Sequence, residues 1–147
     1  MEYVVVKPEV AGGLGEHTVR EPTPNGTVIH KLHYVFEGWL GDELLTTSPC
    51  FIVSEQLAEA IRRSNLTGVK FAEVEISVSS RFREAHPVID LPRFVWLRPT
   101  GTSGGDDFGL SEELRLVVSH RALVVLQTRP LSHADITVIP PEAGSTS

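Results

Sequence analysis

The chain has 147 residues, of which 41% are apolar and 22% charged, and its formal net charge is −6. This composition is typical of one globular domain that buries a core without disulfides or metals, and it excludes a disordered chain. The acidic balance argues mildly against a nucleic-acid-binding protein, which would carry a basic stripe, and it suits a basic partner.

The cysteine content and the N-terminal residues indicate a cytoplasmic protein. Cys50 is the single cysteine, so neither an intramolecular disulfide nor a multi-cysteine zinc site is expected. Residues 1–7 lack the basic region and the long apolar run of a secretory signal. No apolar stretch approaches the roughly 20 residues of a membrane-spanning helix, so no membrane association is expected.

The first third of the chain predicts strands joined by turns. Residues 3–6 are β-branched and aromatic, which favours a first strand, and a glycine-rich loop follows at 11–15. Residues 22–26 predict a turn, because proline fixes φ and Asn-Gly tolerates positive φ. Residues 27–36 alternate loosely between apolar and polar side chains and predict a second strand.

Residues 50–76 predict a strand, a helix and a second strand. Ser54 is a favourable N-cap, and its replacement by alanine is expected to cost about 1 kcal/mol. Glu55 and Gln56 follow in the first turn of the helix and Arg62 and Arg63 in its last turn, as the helix dipole prefers. The helix has a single apolar stripe, formed by Leu57, Ala58 and Ile61.

The remainder of the chain predicts a second unit of the same kind. Residues 81–92 are polar and predict a connector, and Phe94–Leu97 predicts an apolar strand with Trp96 in the core. A further strand at 114–118 leads to Ser119, the predicted cap of a second helix. The signal for this helix is weaker, since β-branched valines lower helix propensity and the first turn has no acidic residue.

The two units align without a gap at an offset of 65 residues. Residues 51–74 and 116–139 share an apolar triplet, a serine, about ten helix-compatible residues and then alternating apolar residues. This repeated pattern predicts an internal duplication, with related strand–helix–strand units at about 42–76 and 107–139.

The fold class follows from these units. Strands that alternate with single short helices predict an α+β fold, in which two related helices pack on a mixed or mainly antiparallel sheet. We expect one domain at residues 1–139. Residues 140–147 have no apolar anchor and are predicted to form a disordered tail.

The sequence contains no combination of residues that predicts an enzyme active site or a metal site. His30 and His33 are three positions apart on a predicted strand, so their side chains point to opposite faces. Cys50 precedes an apolar strand and is expected to act as a small hydrophobic residue. Because no nucleophile, base and orienting residue can be combined, a non-enzymatic protein without a metal or cofactor is expected.

Three aspartates and one tryptophan are the candidate partner-binding residues. Asp42 and Asp107 are also 65 positions apart, and Asp106 adds a second charge to the later position. These carboxylates either cap turns or form an acidic surface for a basic partner. Turn capping is favoured for Asp42, and both interpretations stay open for Asp106 and Asp107. Trp39 is either a core residue, which is favoured, or an interface anchor.

A family resemblance suggests a function. Residues 36–44, 48–54, 91–97, 106–110 and 116–119 resemble small, largely uncharacterised bacterial proteins. The pattern Val-Val-Ser, helix, Leu-x-Gly/His-x-x-Phe/Ile is similar to that of immunity proteins from polymorphic and contact-dependent toxin systems. The resemblance implies an antitoxin that neutralises a cognate toxin by direct binding.

The resemblance implies a role for this chain but identifies none of its functional residues. One kind of these immunity proteins carries paired C-x-x-C-G motifs, and this chain departs from that kind because Cys50 stands alone. The expected partner is a basic toxin domain, with the oligomeric state open. The alternative is a structural or adaptor subunit of a larger bacterial assembly, which stable co-purification with that assembly would favour.

Overall fold

Strands dominate the structure, a computed structural model that describes residues 2–139. The predicted tail at 140–147 lies outside the described residues. Within them, thirteen strands and three helices follow in this order: β1 (Tyr3–Lys7), β2 (Gly12–Leu14), β3 (Val19–Thr23), β4 (Gly26–Lys31), β5 (His33–Phe36), β6 (Leu44–Thr47), β7 (Cys50–Ser54), α1 (Glu55–Arg63), β8 (Val69–Ala72), β9 (Glu75–Val78), α2 (Ser80–Ala85), β10 (Phe94–Pro99), β11 (Phe108–Leu110), β12 (Leu116–Ser119), α3 (His120–Leu126) and β13 (Asp135–Val138).

Two four-stranded sheets carry the helices α1 and α3. One sheet has the order β6-β7-β10-β8 and the other the order β11-β12-β1-β13. All strand pairs in both sheets are antiparallel. In each sheet an antiparallel pair leads into a helix, and the strand after the helix lies at the far edge. The third strand comes from elsewhere in the chain, since β10 follows its sheet partners and β1 precedes its own.

Capping serines fix the start of both helices. The Ser54 hydroxyl oxygen accepts a hydrogen bond from the Leu57 amide at 3.1 Å, and that of Ser119 accepts one from Ala122 at 3.1 Å. Both serines have extended backbone dihedrals, as N-caps do. The second helix therefore forms at the predicted place, because its cap and its buried face outweigh the low propensity of its valines.

The core has two parts. One lies between the sheets and the helices α1 and α3, where alternate residues of β1 such as Val4 and Val6 face inward. The other is aromatic and gathers Tyr34, Phe36 and Trp96 around α2 and β5. Trp96 is buried, as predicted.

Several local predictions were wrong for physical reasons. The strand predicted at 27–36 is broken at the buried Leu32 into β4 and β5. The predicted connector contains α2, whose cap Ser79 and single buried residue Phe82 give no periodic signal. The glycine loop contains β2, where a Cβ at Gly12 would overlap the Val35 carbonyl oxygen, so only glycine allows this close pairing with β5.

The prediction of a small mixed fold with mainly antiparallel sheets is confirmed, and the fold is richer in strand than expected. Only β5 and β9 pair in parallel among the named strands. No helix among the described residues has the length and apolar character needed to cross a bilayer.

Candidate functional site

A buried carboxylate, that of Glu43, accepts a hydrogen bond from the serine that caps α1, and we call Glu43, Ser54 and Arg129 the Glu43 corner. The Ser54 hydroxyl donates to Glu43 Oε1 at 2.5 Å, and the Ser54 amide donates to the Glu43 carbonyl at 2.9 Å. Arg129 donates through Nε and Nη2 to the two carboxylate oxygens at 2.9 and 2.7 Å. Burial acts to raise the pKa of Glu43, but Arg129 and the Ser54 hydroxyl outweigh it and hold the pKa below its ordinary value.

A second carboxylate has the same role ahead of α3, and we call Asp107, Ser119, Thr67 and Arg121 the Asp107 corner. The Ser119 hydroxyl donates to Asp107 Oδ1 at 2.6 Å, and the Ser119 amide donates to the Asp107 carbonyl at 2.9 Å. The Thr67 amide and Arg121 Nη2 donate to Oδ2 at 2.9 and 2.7 Å. Burial acts to raise the pKa of Asp107, but these donors lower it well below its ordinary value.

The two corners show how the predicted acidic residues are used. Asp107 is 6% exposed and its charge is paired, and its carboxylate contacts the start of α3 and the loop at Thr67 rather than a local turn. By its contacts the counterpart of Asp107 is Glu43, one position after the predicted Asp42. Asp106 is half-buried and accepts a hydrogen bond from the Thr102 amide at 2.7 Å. Sequence reasoning missed Glu43 because the counterpart is shifted by one position.

Trp39 is half-buried at the edge of the aromatic core. Its indole Nε1 donates to the Asp42 carbonyl at 2.8 Å. Its ring meets those of Phe36 and Phe94 edge-on, at centroid distances of 6.4 and 6.3 Å. These contacts place Trp39 in a packing role, and its position beside Asp42 fixes the chain ahead of β6.

Asp42 belongs to a third buried group, which we call the Glu9 cluster (Glu9, Asp42 and His133). Asp42 is fully buried; its Oδ2 accepts the His133 amide at 2.8 Å, and its Oδ1 lies 3.0 Å from His133 Nδ1. Glu9 is 8% exposed and accepts the Leu40 amide through Oε2 at 2.7 Å. Its Oε1 is buried without a hydrogen-bond partner among residues 2–139. No sequence signal joins these three residues, because they come from distant segments.

The structure places His30 and His33 on two different strands, and not on opposite faces of one strand as predicted. His30 lies on β4 with Nε2 2.6 Å from Glu21. His33 lies on β5 and belongs to a second group with His17 and Glu75, whose ligand atoms lie within 4.8 Å of one another. His33 Nδ1 accepts the His17 amide at 3.2 Å, and Nε2 lies 2.8 Å from the Ser77 hydroxyl. Both ring nitrogens of His33 are therefore already engaged.

Cys50 and Tyr34 are buried and unsuited to nucleophilic chemistry. Burial raises the pKa of the Cys50 thiol to about 11, with Arg98 opposing part of the effect. Burial likewise raises the pKa of Tyr34 to about 12. Both groups stay protonated near neutral pH, and Cys50 acts as the small core residue that the sequence predicts.

Two surface grooves meet at Leu114, on the loop between β11 and β12. The first, of about 360 Å³, lies between the end of β1, the β6–β7 turn and this loop, and Val10 lines it. The second, of about 220 Å³, is lined by Val28 from β4. Leu114 and Pro49 border both grooves. We call these four residues the Leu114 face.

Leu114 combines exposure with an uncommon backbone. Its side chain is 51% exposed and its φ is +62°. A bulky residue with positive φ is an outlier that costs roughly 1–3 kcal/mol. The adjacent Glu112 and Glu113 are exposed. The loop thus presents an apolar side chain and two carboxylates to solvent.

Comparison with known proteins gives no assignment. No protein-family model matches the chain, and no curated protein is significantly similar to it.

Proposed function

We propose that this is a non-enzymatic bacterial immunity protein that binds and neutralises a toxin in the cytoplasm through the Leu114 face. The observation that supports this function best is the strained, exposed Leu114. An apolar side chain held in solvent at a conformational cost contributes little to folding, and such strain is typical of segments that contact ligands. A partner that covers Leu114 would recover the apolar burial that the free protein lacks.

The surroundings of Leu114 fit a protein partner. Val10 is 67% exposed and Val28 is 41% exposed, and both line the grooves that border Leu114. Exposed apolar residues that cluster at a groove are typical of interaction sites. Leu114 would serve as the central anchor, with the two grooves receiving side chains of the partner.

The proposed partner is a basic toxin domain. Glu112 and Glu113 directly precede the apolar anchor, Arg115 follows it, and the net charge of −6 adds a long-range attraction to a basic partner. The contact of Glu113 with Arg115 is long, at 3.9 Å, and exposed, so it leaves the carboxylate available. These two glutamates replace Asp107 as the main acidic contribution, because Asp107 is committed to its corner; Asp106 remains a secondary candidate.

Internal duplication belongs to the same proposal. In both sheets the strand before the helix lies between the strand that precedes it in the chain and a strand from elsewhere. Each helix is capped by a serine whose hydroxyl donates to a buried carboxylate. The turn between the paired strands differs, with Ser48–Pro49 in one unit and residues 111–115 in the other. We propose that the duplicated parts form the scaffold and that the longer loop has gained the binding role.

The test is growth rescue from a basic toxin domain encoded by a neighbouring gene, and the absence of such a gene would count against the proposal. Leu114→Asp should abolish growth rescue and weaken toxin binding at least tenfold, because a charge replaces the central anchor. The matched control is Val88→Asp, which changes a 93% exposed valine that borders neither groove and should behave as wild type. Circular dichroism should show both variants folded.

Two outcomes would contradict the proposal. If folded Leu114→Asp neutralises the toxin as well as wild type does, the Leu114 face is not the interface. If the chain instead co-purifies stoichiometrically with a large assembly and binds no toxin, it is the adaptor subunit considered as the alternative.

A further inference from the structure

The Glu9 cluster joins three segments that are distant in the sequence. Glu9 lies between β1 and β2, Asp42 lies just ahead of β6, and His133 lies between α3 and β13. One ligand atom from each residue lies within 4.8 Å of the other two. We infer that these three side chains form a binding site for one divalent cation, with the ligand set suited to Zn²⁺ or Mn²⁺.

The unpartnered oxygen of Glu9 is the observation that points to a ligand. The Glu9 backbone is fixed, since its carbonyl accepts the Thr46 amide at 3.0 Å. Its Oε2 is held by the Leu40 amide, but its buried Oε1 has no partner among the described residues. An ionised carboxylate oxygen that is removed from water without compensation is costly. A bound cation would supply the missing interaction.

Charge balance leads to the same conclusion. Glu9 and Asp42 bring two carboxylates into one buried place, and the side-chain contacts of Arg129 are with Glu43. A divalent cation would counter the negative charge that two carboxylates bring to a buried place. His133 Nδ1 contacts Asp42 Oδ1 at 3.0 Å, so ion binding would replace this contact, with the proton moved to Nε2 and the Nδ1 lone pair directed at the ion.

The ligand types select the class of metal. Imidazole suits Zn²⁺, and carboxylates suit harder ions such as Mn²⁺, so a mixed set favours a borderline ion over Ca²⁺. Ligand atoms at about 2.0–2.2 Å from one ion lie roughly 3–4 Å apart, so the cluster needs only a small contraction. The His133 side chain is 40% exposed, which leaves a path for the ion and for a coordinating water.

The second group of potential ligands lacks these features. Both ring nitrogens of His33 are engaged, and Nδ1 must carry the lone pair because it accepts the His17 amide. Glu75 is paired with His17 at 2.8 Å and with Lys31 at 3.3 Å. No unpartnered buried oxygen is found in this group among residues 2–139. It therefore provides a matched control of similar composition.

Metal titration of the chelator-treated, full-length protein tests the inference. Calorimetry with Zn²⁺ and with Mn²⁺ should give one site per chain, and saturating Zn²⁺ should raise Tm, because a ligand that binds only the folded state stabilises it. Ca²⁺ should bind at least tenfold more weakly than Zn²⁺. His133→Ala and Glu9→Gln should each lower Zn²⁺ affinity at least tenfold and abolish the Tm shift.

The control variant is His17→Ala, which removes an exposed histidine of the second group and should leave both readouts unchanged. Glu9→Gln keeps the size of the side chain and an oxygen for the Leu40 amide, so it should fold even if His133→Ala does not. Wild type that shows no binding and no Tm shift with millimolar Zn²⁺ or Mn²⁺ would overturn the inference. Binding that survives in Glu9→Gln, or that is lost in His17→Ala, would also overturn it.

Discussion

The two strand–helix–strand units share their buried polar contacts but differ in one exposed loop. Ahead of each helix, a serine caps the first turn and donates its hydroxyl to a buried carboxylate, Glu43 in one unit and Asp107 in the other. The strand pair ahead of Ser54 is joined by two residues, Ser48 and Pro49, whereas the pair ahead of Ser119 is joined by five. The shared polar residues therefore serve the fold, and the difference lies in a loop that carries a strained, exposed leucine.

The corners also differ in how they are tied to the rest of the chain. Arg129, which holds Glu43, comes from beyond the other unit's helix, 86 positions away. Arg121, which holds Asp107, belongs to the helix of the same unit, and Thr67 supplies the link to the other unit. Each corner thus connects one unit, through side-chain hydrogen bonds, to the loop that follows the helix of the other unit.

The largest effect is expected from removing a corner carboxylate. Asp107→Ala should lower the free energy of unfolding by about 3 kcal/mol, because the Ser119 hydroxyl and the Thr67 amide lose their buried acceptor, whereas Arg121 is half-exposed and can be solvated. Glu43→Ala should cost roughly 1 kcal/mol less, since Glu43 accepts no backbone amide through its side chain. Urea denaturation at pH 7 measures both. Equal, small losses below about 1 kcal/mol would show that the corners are not structural.

Acid should act on both corners in the same direction. The folded pKa of each carboxyl lies below its ordinary value, which is 3.8 for Asp107 and 4.5 for Glu43. Their stabilisation is therefore complete above these values and is lost as the pH falls through the folded-state pKa. Wild type should therefore lose stability as the pH falls from about 6 to about 3, because both groups bind protons more readily in the unfolded chain than in the folded protein.

Asp107→Asn provides the matched control for this titration. It should be less stable at pH 6 and should show a flatter loss of stability below pH 4, because it removes one of the titrating groups. Parallel stability–pH curves for wild type and Asp107→Asn would contradict the depressed pKa of Asp107.

The capping serines should show a smaller and equal effect. Ser54→Ala and Ser119→Ala should each cost about 1–2 kcal/mol, toward the upper end of the range for an N-cap, because each hydroxyl also donates to a carboxylate. Thermal and urea unfolding of the two variants measure the comparison. A loss at Ser54 with none at Ser119 would mean that the two helix starts are not equivalent.

Local sequence patterns predicted much of the fold but few of the buried polar contacts. Ser54 and Ser119 were identifiable because capping depends on residues within one turn of the helix. The pairing of β1 with β12 and β13 was not, because strand order depends on contacts across more than a hundred positions. The sequence pairs Asp42 with Asp107, but in the structure Glu43, and not Asp42, takes the place that corresponds to Asp107.

The candidate sites were harder still to foresee. The sequence gives no indication of the positive φ at Leu114, because the residues that normally adopt this conformation are glycine and asparagine. The expectation of no metal considered neighbouring histidines such as His30 and His33. Glu9, Asp42 and His133 meet only after folding, so no spacing rule could bring them together.

We expect the fold to depend on the polar corners that the two units share and to gain little from Leu114. The unfolding free energy of Leu114→Gly, measured beside that of Asp107→Ala, separates the two contributions. Glycine relieves the positive φ while removing a half-exposed side chain, so the change should stay within about 1 kcal/mol of wild type. A loss of about 2 kcal/mol or more, as for a buried leucine, would show instead that Leu114 is a core residue.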